Sequence, residues 1–177
     1  MSMTLHVDVL GKTFLNHTFV ETGSFDGRGA VFAAYAGFKK VFTIEVDPAR
    51  AAIARGRIAG FPEITLVEGD AVDVLPRILE DLQERATIFL DAHPIGFGDP
   101  SKGGKVKYPL VDELLLIEET SLRGDHSILI DDINALVHFG TSNDRVKEML
   151  LQINPGYQVG LYPNARGQFD MIGARLP

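Results

Sequence analysis

Acidic residues stand where short apolar runs end: Glu21, Glu45, Asp70, Asp91 and the pair Asp131-Asp132. A carboxylate at a strand end can accept hydrogen bonds from both hydroxyls of a ribose, and Glu45 is placed for that role. The alternative is a solvated acid. Glu21 is suited to orient the turn that follows it or to meet a cationic ligand group. Asp70 either faces a ligand's adenine edge or caps the next helix. Asp91, Asp131 and Asp132, brought to one edge, would repel unless protonated or neutralised by a cation. Hard oxygen donors of this kind suit Mg²⁺ or Ca²⁺. Otherwise Asp131 or Asp132 caps the following segment and Asp91 lies in solvent. His93, two residues after Asp91, is a candidate general base near neutral pH, or a structural hydrogen-bonder beside Pro94. His6, His17, His126 and His138 show no comparable setting, and Lys102, Lys105 and Lys107 are either contacts for an anionic substrate or solvated.

These residues need a scaffold, and the chain supplies one. Phe19 to Gly29 runs from a β-rich segment through a glycine turn into a helix. Glycine takes positive φ, and a helix start offers unpaired N–H groups to a ligand. The pattern then alternates. Strands are expected at 19–23, 41–46, 64–67, 87–90 and 127–130, with helices at 28–36, 48 to about 60, 73–84, 110–120 and 142–152. Residues 1–18 form an N-terminal extension, expected as a small strand pair around Gly11-Lys12. Residues 94–108, rich in glycine and lysine, are expected as a long mobile loop. Two closing strands, 157–162 and 169–174, flank a hairpin-like connection. The architecture predicted is α/β: one doubly wound, mostly parallel sheet with a C-terminal antiparallel hairpin, in a single domain over 19–177.

Composition sets limits. The 177 residues carry a net charge of −7, which argues against a general nucleic-acid or membrane-surface binder. The chain has no cysteine, so disulfides, zinc-thiolate sites and thiol catalysis are excluded. No apolar run approaches the roughly 18 residues of a membrane span, and a cytoplasmic protein is expected.

Glu21-Thr22-Gly23-Ser24-Phe25-Asp26-Gly27 resembles the first motif of class I S-adenosylmethionine-dependent methyltransferases. It is closest to the metal-dependent, catechol O-methyltransferase-like subgroup, where an aromatic residue replaces the middle glycine. Similarity continues through residues 42–48, Glu68-Gly69-Asp70, Phe89-Leu90-Asp91 and Leu129-Ile130-Asp131-Asp132. The resemblance implies a Rossmann-like seven-stranded sheet. It implies that Glu21, Gly23, Ser24, Phe25 and Gly27 surround the methionine part of S-adenosylmethionine, with Glu45 on the ribose and Asp70 near the adenine. It also matches Asp91, Asp131 and Asp132 to positions that bind Mg²⁺. The phrase Phe89 to His93, followed by Pro109-Leu110 and Asp112-Glu113-Leu114, resembles methyltransferase-like proteins linked to sugar or natural-product modification.

Three departures stand out. Asp132 replaces the asparagine of the catechol enzymes, no lysine follows Asp91 within four residues, and the N-terminal extension is too short for the usual helical substrate cap. His93 is the candidate substitute base. The implied acceptor is a small hydroxylated molecule, such as a sugar, polyphenol or natural product, and a homodimer would supply the missing cap. Two rival readings remain. One is a non-catalytic cofactor-binding protein of the same fold. The other is a nicotinamide oxidoreductase, against which Gly23-x-x-x-Gly27-x-Gly29 departs from G-x-G-x-x-G.

Overall fold

The computed structural model describes residues 5–93, 104–106, 108–120 and 124–177. Its strands are β1 (Thr18–Thr22), β2 (Lys40–Glu45), β3 (Ile64–Glu68), β4 (Ala86–Leu90), β5 (Ser127–Ile130), β6 (Gln158–Pro163) and β7 (Phe169–Arg175). They form one sheet in the order β3-β2-β1-β4-β5-β7-β6. Strands β1 to β5 pair parallel, and β7 runs antiparallel to both its neighbours. Helices α1 (Val7–Thr13), α2 (Arg28–Ala36) and α3 (Pro48–Ile58) cover one face. Helices α4 (Ala71–Glu80), α5 (Leu110–Glu119) and α6 (Asn143–Ile153) cover the other.

Alternation of side chains through the sheet builds two cores. Val20, Ile88 and Ile128 pack with α4, α5 and α6. Phe19, Phe89 and Leu129, one residue along each strand, pack with α1 and α2. Burial on both faces is why these strands read as continuous apolar runs. The chain leaves β1 toward one edge of the sheet and β4 toward the other. The crevice between their C-terminal ends is therefore the switch point where such sheets take ligands.

Three expectations change. The segment around Gly11-Lys12 is the helix α1, not a strand pair. Leu10 and Phe14 lie one turn apart and are buried against Phe19. Gly11 reads as a turn residue in sequence, but its role is closeness: a Cβ there would stand 3.1 Å from the Ala36 carbonyl oxygen. Helix α4 starts at Ala71 rather than Asp73, because the Asp70 carboxylate accepts from Val72 N at 3.2 Å and caps it. A 3-10 helix, Ile133–Phe139, follows β5 and has no counterpart in the sequence reading. Most of the loop expected at 94–108, with Lys102 and Lys107, lies outside the described residues.

His126 is structural. Its Nδ1 accepts from Ala86 N at 3.0 Å, and the Tyr157 hydroxyl donates to its carbonyl at 2.6 Å. Burial pushes its imidazole down to about 4. Because the folded value lies below the unfolded one, the unfolded chain binds the proton first as pH falls. This contribution to stability is complete above about pH 6.5 and is lost as pH falls through about 4, by roughly 3 kcal/mol. Urea unfolding of the wild type and His126→Gln should therefore differ less at pH 4.5 than at pH 7, by about that amount. A constant difference would contradict the assignment.

Candidate functional site

The turn after β1 is held in an unusual backbone path. Gly23 has φ 82°, Phe25 has φ 50° and Gly27, the N-cap of α2, has φ 82°. Gly23 N and Ser24 N both donate to the Ile44 carbonyl, at 3.0 and 2.9 Å, which ties the turn to β2. Gly27 N donates back to the Ser24 carbonyl at 2.7 Å. A Cβ on Gly23 would overlap the Asp91 carbonyl oxygen and stand 2.8 Å from its carbon. The ends of β1 and β4 approach this closely only because the residue is glycine.

Glu21 lies beneath this turn rather than at its surface. It is 2% exposed, accepts from Thr43 Oγ1 at 2.5 Å, and is hydrogen-bonded to the Ala30 backbone at the start of α2. The Thr43 hydroxyl is also paired with Ser24 Oγ. The Glu21 carboxylate fills the space a Cβ on Gly29 would need. Burial pushes its carboxyl up to about 8, against the lowering effect of the Thr43 bond. Of its two expected roles, this geometry suits the first, orienting the turn.

Glu45 joins the turns after β1 and β2. Its Oε2 accepts from Phe25 N at 2.7 Å and its Oε1 from Asp47 N at 2.9 Å. Burial raises its pKa, while those two backbone donors lower it. Each carboxylate oxygen keeps a second lone pair, which a ribose hydroxyl can use. The Phe25 ring lies 4.8 Å from the Arg50 guanidinium. Asp26 is fixed by Arg28 Nε at 2.9 Å and Arg57 Nη2 at 3.0 Å. Asp70, besides capping α4, accepts from Lys105 N, and Lys105 Nζ stands 2.6 Å from Asp73 Oδ2. Lys105 is thus pinned beside Asp70, just past the end of β3.

At the ends of β4 and β5 the acids do converge, but around a side chain. His93 Nε2 stands 3.1 Å from both Asp91 Oδ1 and Asp132 Oδ2. A turn brings His93 and Asp91 together, with His93 N donating to the Asp91 carbonyl at 3.0 Å; β4 has already ended at Leu90. Asp132 reaches its place with φ 50°. Asp131 is buried and hydrogen-bonded to Asp91, whose pKa is raised by burial. Burial would lower the His93 pKa, but the bonds to Asp132 and Asp91 outweigh it and push the imidazole up to about 11. His93 is therefore a cation at neutral pH, not a free base.

That arrangement does not fit the Mg²⁺ site expected on Asp91, Asp131 and Asp132. His93 Nε2 stands between the Asp91 and Asp132 carboxylates, which therefore face a side chain that can itself carry positive charge. Among the described residues no group of three or more His, Asp and Glu side chains has metal-holding geometry. The charge balance that a metal would supply comes instead, in part, from His93.

Glu113 is the site residue that sequence reasoning passed over, naming it only within a resemblance. It lies on α5, is 1% exposed, and lines a pocket with His93, Tyr108 and Asp131. Burial pushes its carboxyl up to about 8, against a hydrogen bond with Thr22. A signal existed: Glu113 falls on the same helical stripe as Leu110, Leu114 and Ile117, all buried. An acid on an apolar stripe is an anomaly that asks for a partner.

No protein-family model matches the chain, and no curated protein matches it. Solved structures do. An SAH-bound methyltransferase of Podospora anserina is 18% identical with a TM-score of 0.62, over 91% of this chain and 72% of that one. An O-methyltransferase from Bacillus cereus, in complex with SAH, is 22% identical with a TM-score of 0.62, over 97% and 77%. A ribosomal protein L11 methylase from Lactobacillus delbrueckii subsp. bulgaricus is 15% identical with a TM-score of 0.59, over 97% and 77%. The likeness is one of fold: this chain has the Rossmann-like seven-stranded fold of those methyltransferases.

Proposed function

We propose that this chain transfers the methyl group of S-adenosylmethionine to a hydroxyl of a small molecule. The observation that carries the reading is the turn after β1: Gly23, Phe25 and Gly27 at positive φ, tied to Glu45 by the Phe25 amide. A fold shared with SAH-bound methyltransferases supports it. Gly23, Ser24, Phe25 and Gly27 line the place of the amino-acid part, with Glu21 holding their path from below. Glu45 receives the ribose hydroxyls, and Asp70, with Lys105 pinned beside it, borders the adenine.

The cofactor when bound supplies a sulfonium-activated methyl group. The chain's own task is then mainly to align an acceptor oxygen with it and exclude water. Asp91 and His93 stand at the crevice where that oxygen arrives. With His93 held as an imidazolium, its part is to fix Asp91 and Asp132 and to offset their charge. The hydroxyl proton leaves to solvent or to a neighbouring carboxylate. A sugar, polyphenol or other hydroxylated natural product is the acceptor class, in keeping with the net charge of −7, which disfavours nucleic acid. No helix among the described residues is long and apolar enough to cross a membrane.

Calorimetric titration with S-adenosylhomocysteine, with NADH as control, tests this. The expected result is a Kd on the order of micromolar for the first and no heat from the second. Folded protein that binds neither would sink the reading. Binding without turnover on hydroxylated acceptors would mark a non-catalytic binder of the same fold.

A further inference from the structure

Glu113 is buried on the first turn of α5, and the chemistry of the crevice gives it no task. Burial pushes its carboxyl up to about 8, so at neutral pH it is mostly uncharged and is suited neither to attract a cation nor to act as a base. Its Oε1 has no hydrogen-bond partner among the described residues, and the space beside it has room for about one water, too little for a ligand. What distinguishes the group is its hydrogen bond with the Thr22 hydroxyl.

Three elements meet at Thr22. It ends β1, pairs with Leu90 at the end of β4, and is fully buried. Asp91 N donates to its hydroxyl at 3.3 Å and to its carbonyl at 3.2 Å. A hydroxyl carries one hydrogen, and with Asp91 N as its donor that hydrogen goes to Glu113. The relay thus runs from the Asp91 amide through Thr22 to α5. It fixes the Thr22 rotamer, because a buried hydroxyl turned away from Glu113 would lose its acceptor. The Asp91 carbonyl accepts from His93 N at 3.0 Å, and the Asp91 carboxylate stands 3.1 Å from His93 Nε2. Gly23, the residue after Thr22, packs against that same carbonyl. A turn of the Thr22 side chain is therefore felt at Asp91.

We propose that Glu113 is a positioning residue: it orients the Thr22 hydroxyl and through it sets the place of Asp91 at the crevice. An uncharged acceptor is enough for this role, so hydrogen bonding matters and charge does not. That the placement serves methyl transfer rests on the function proposed above; the placement itself does not.

Amide hydrogen exchange on the full chain tests this, read as the Asp91 rate relative to that of Ile88 in the middle of β4. Glu113→Leu suits the apolar stripe of α5 but accepts no hydrogen bond. It should speed Asp91 about fivefold relative to Ile88, the share of one hydrogen bond. Glu113→Gln keeps a neutral acceptor and should stay within about twofold of the wild type. Thr22→Val deletes the middle of the relay and should match Glu113→Leu, with the double variant adding less than about twofold. Dividing by the Ile88 rate removes any loss of global stability, which speeds both amides alike. An unchanged Asp91 ratio in folded Glu113→Leu would overturn the proposal. So would Glu113→Gln exchanging as fast as Glu113→Leu, since that would make charge the cause. Glu113→Met takes the place of Glu113→Leu should the latter fail to fold. S-adenosylhomocysteine titrated into the wild type separates the two readings: its failure to bind counts against the methyltransferase alone, and the exchange ratio decides the positioning role in either case.

Discussion

Gly23→Ala is expected to abolish binding of S-adenosylhomocysteine and to destabilise the fold by about 3 kcal/mol or more. Two penalties add. A φ of 82° is strained for alanine by about 1 kcal/mol. The new Cβ would also overlap the Asp91 carbonyl and stand 3.0 Å from the Ala92 Cα, and both neighbours are backbone. The ends of β1 and β4 must part, and the crevice between them loses its shape. Gly140→Ala is the control: φ is 75° there, but nothing lies within 4 Å of the added Cβ. That variant should lose only the strain, about 1 kcal/mol, and keep its ligand affinity. Comparable losses in both variants, read by urea unfolding and calorimetry, would remove the close approach of β1 and β4 as the cause.

His93 gives the second large effect. Its imidazole, pushed up to about 11 by Asp132 and Asp91, should show no ring titration by NMR from about pH 5 to about pH 9. A folded value above the unfolded one means that its stabilising share is fully present below about pH 6.5 and is lost as pH rises through about 11. His93→Ala leaves Asp91 and Asp132 without the cation between them and should cost about 3 kcal/mol or more at neutral pH. Titration near 6.5 would restore His93 as a free base and reopen the space between the acids to a metal.

The same residues show what one dimension of information can and cannot carry. The alternation of apolar runs with helical segments fixes the α/β class, because the runs are short and nearly all apolar, and the parallel ones end at an acid. Helix α2 begins at Arg28 and ends at Gly37 as the glycines imply, and Ser142 caps α6 as its hydroxyl allows. These are local rules, decided by backbone sterics and by donors within a turn of the chain. The antiparallel strand near the edge follows from the hairpin at the C-terminus.

What each acid does is not local. Glu21, Glu45 and Asp70 look alike as strand-end acids. Yet Glu21 is sealed under α2, Glu45 bridges two turns, and Asp70 caps a helix while holding Lys105. Gly11 looks like a turn and is a helix contact, since the Ala36 carbonyl that requires it is 25 positions away. Local rules alone were enough for the order of the strands, for the helices that follow β1 to β5 and for the glycine turn. The folded chain was needed to show that Asp91, Asp131 and Asp132 meet, that His93 stands between Asp91 and Asp132, and that Glu113 lies buried near them. Charge balance in a buried cluster depends on distances of a few ångströms between groups on different elements, and those distances exist only once the sheet has closed.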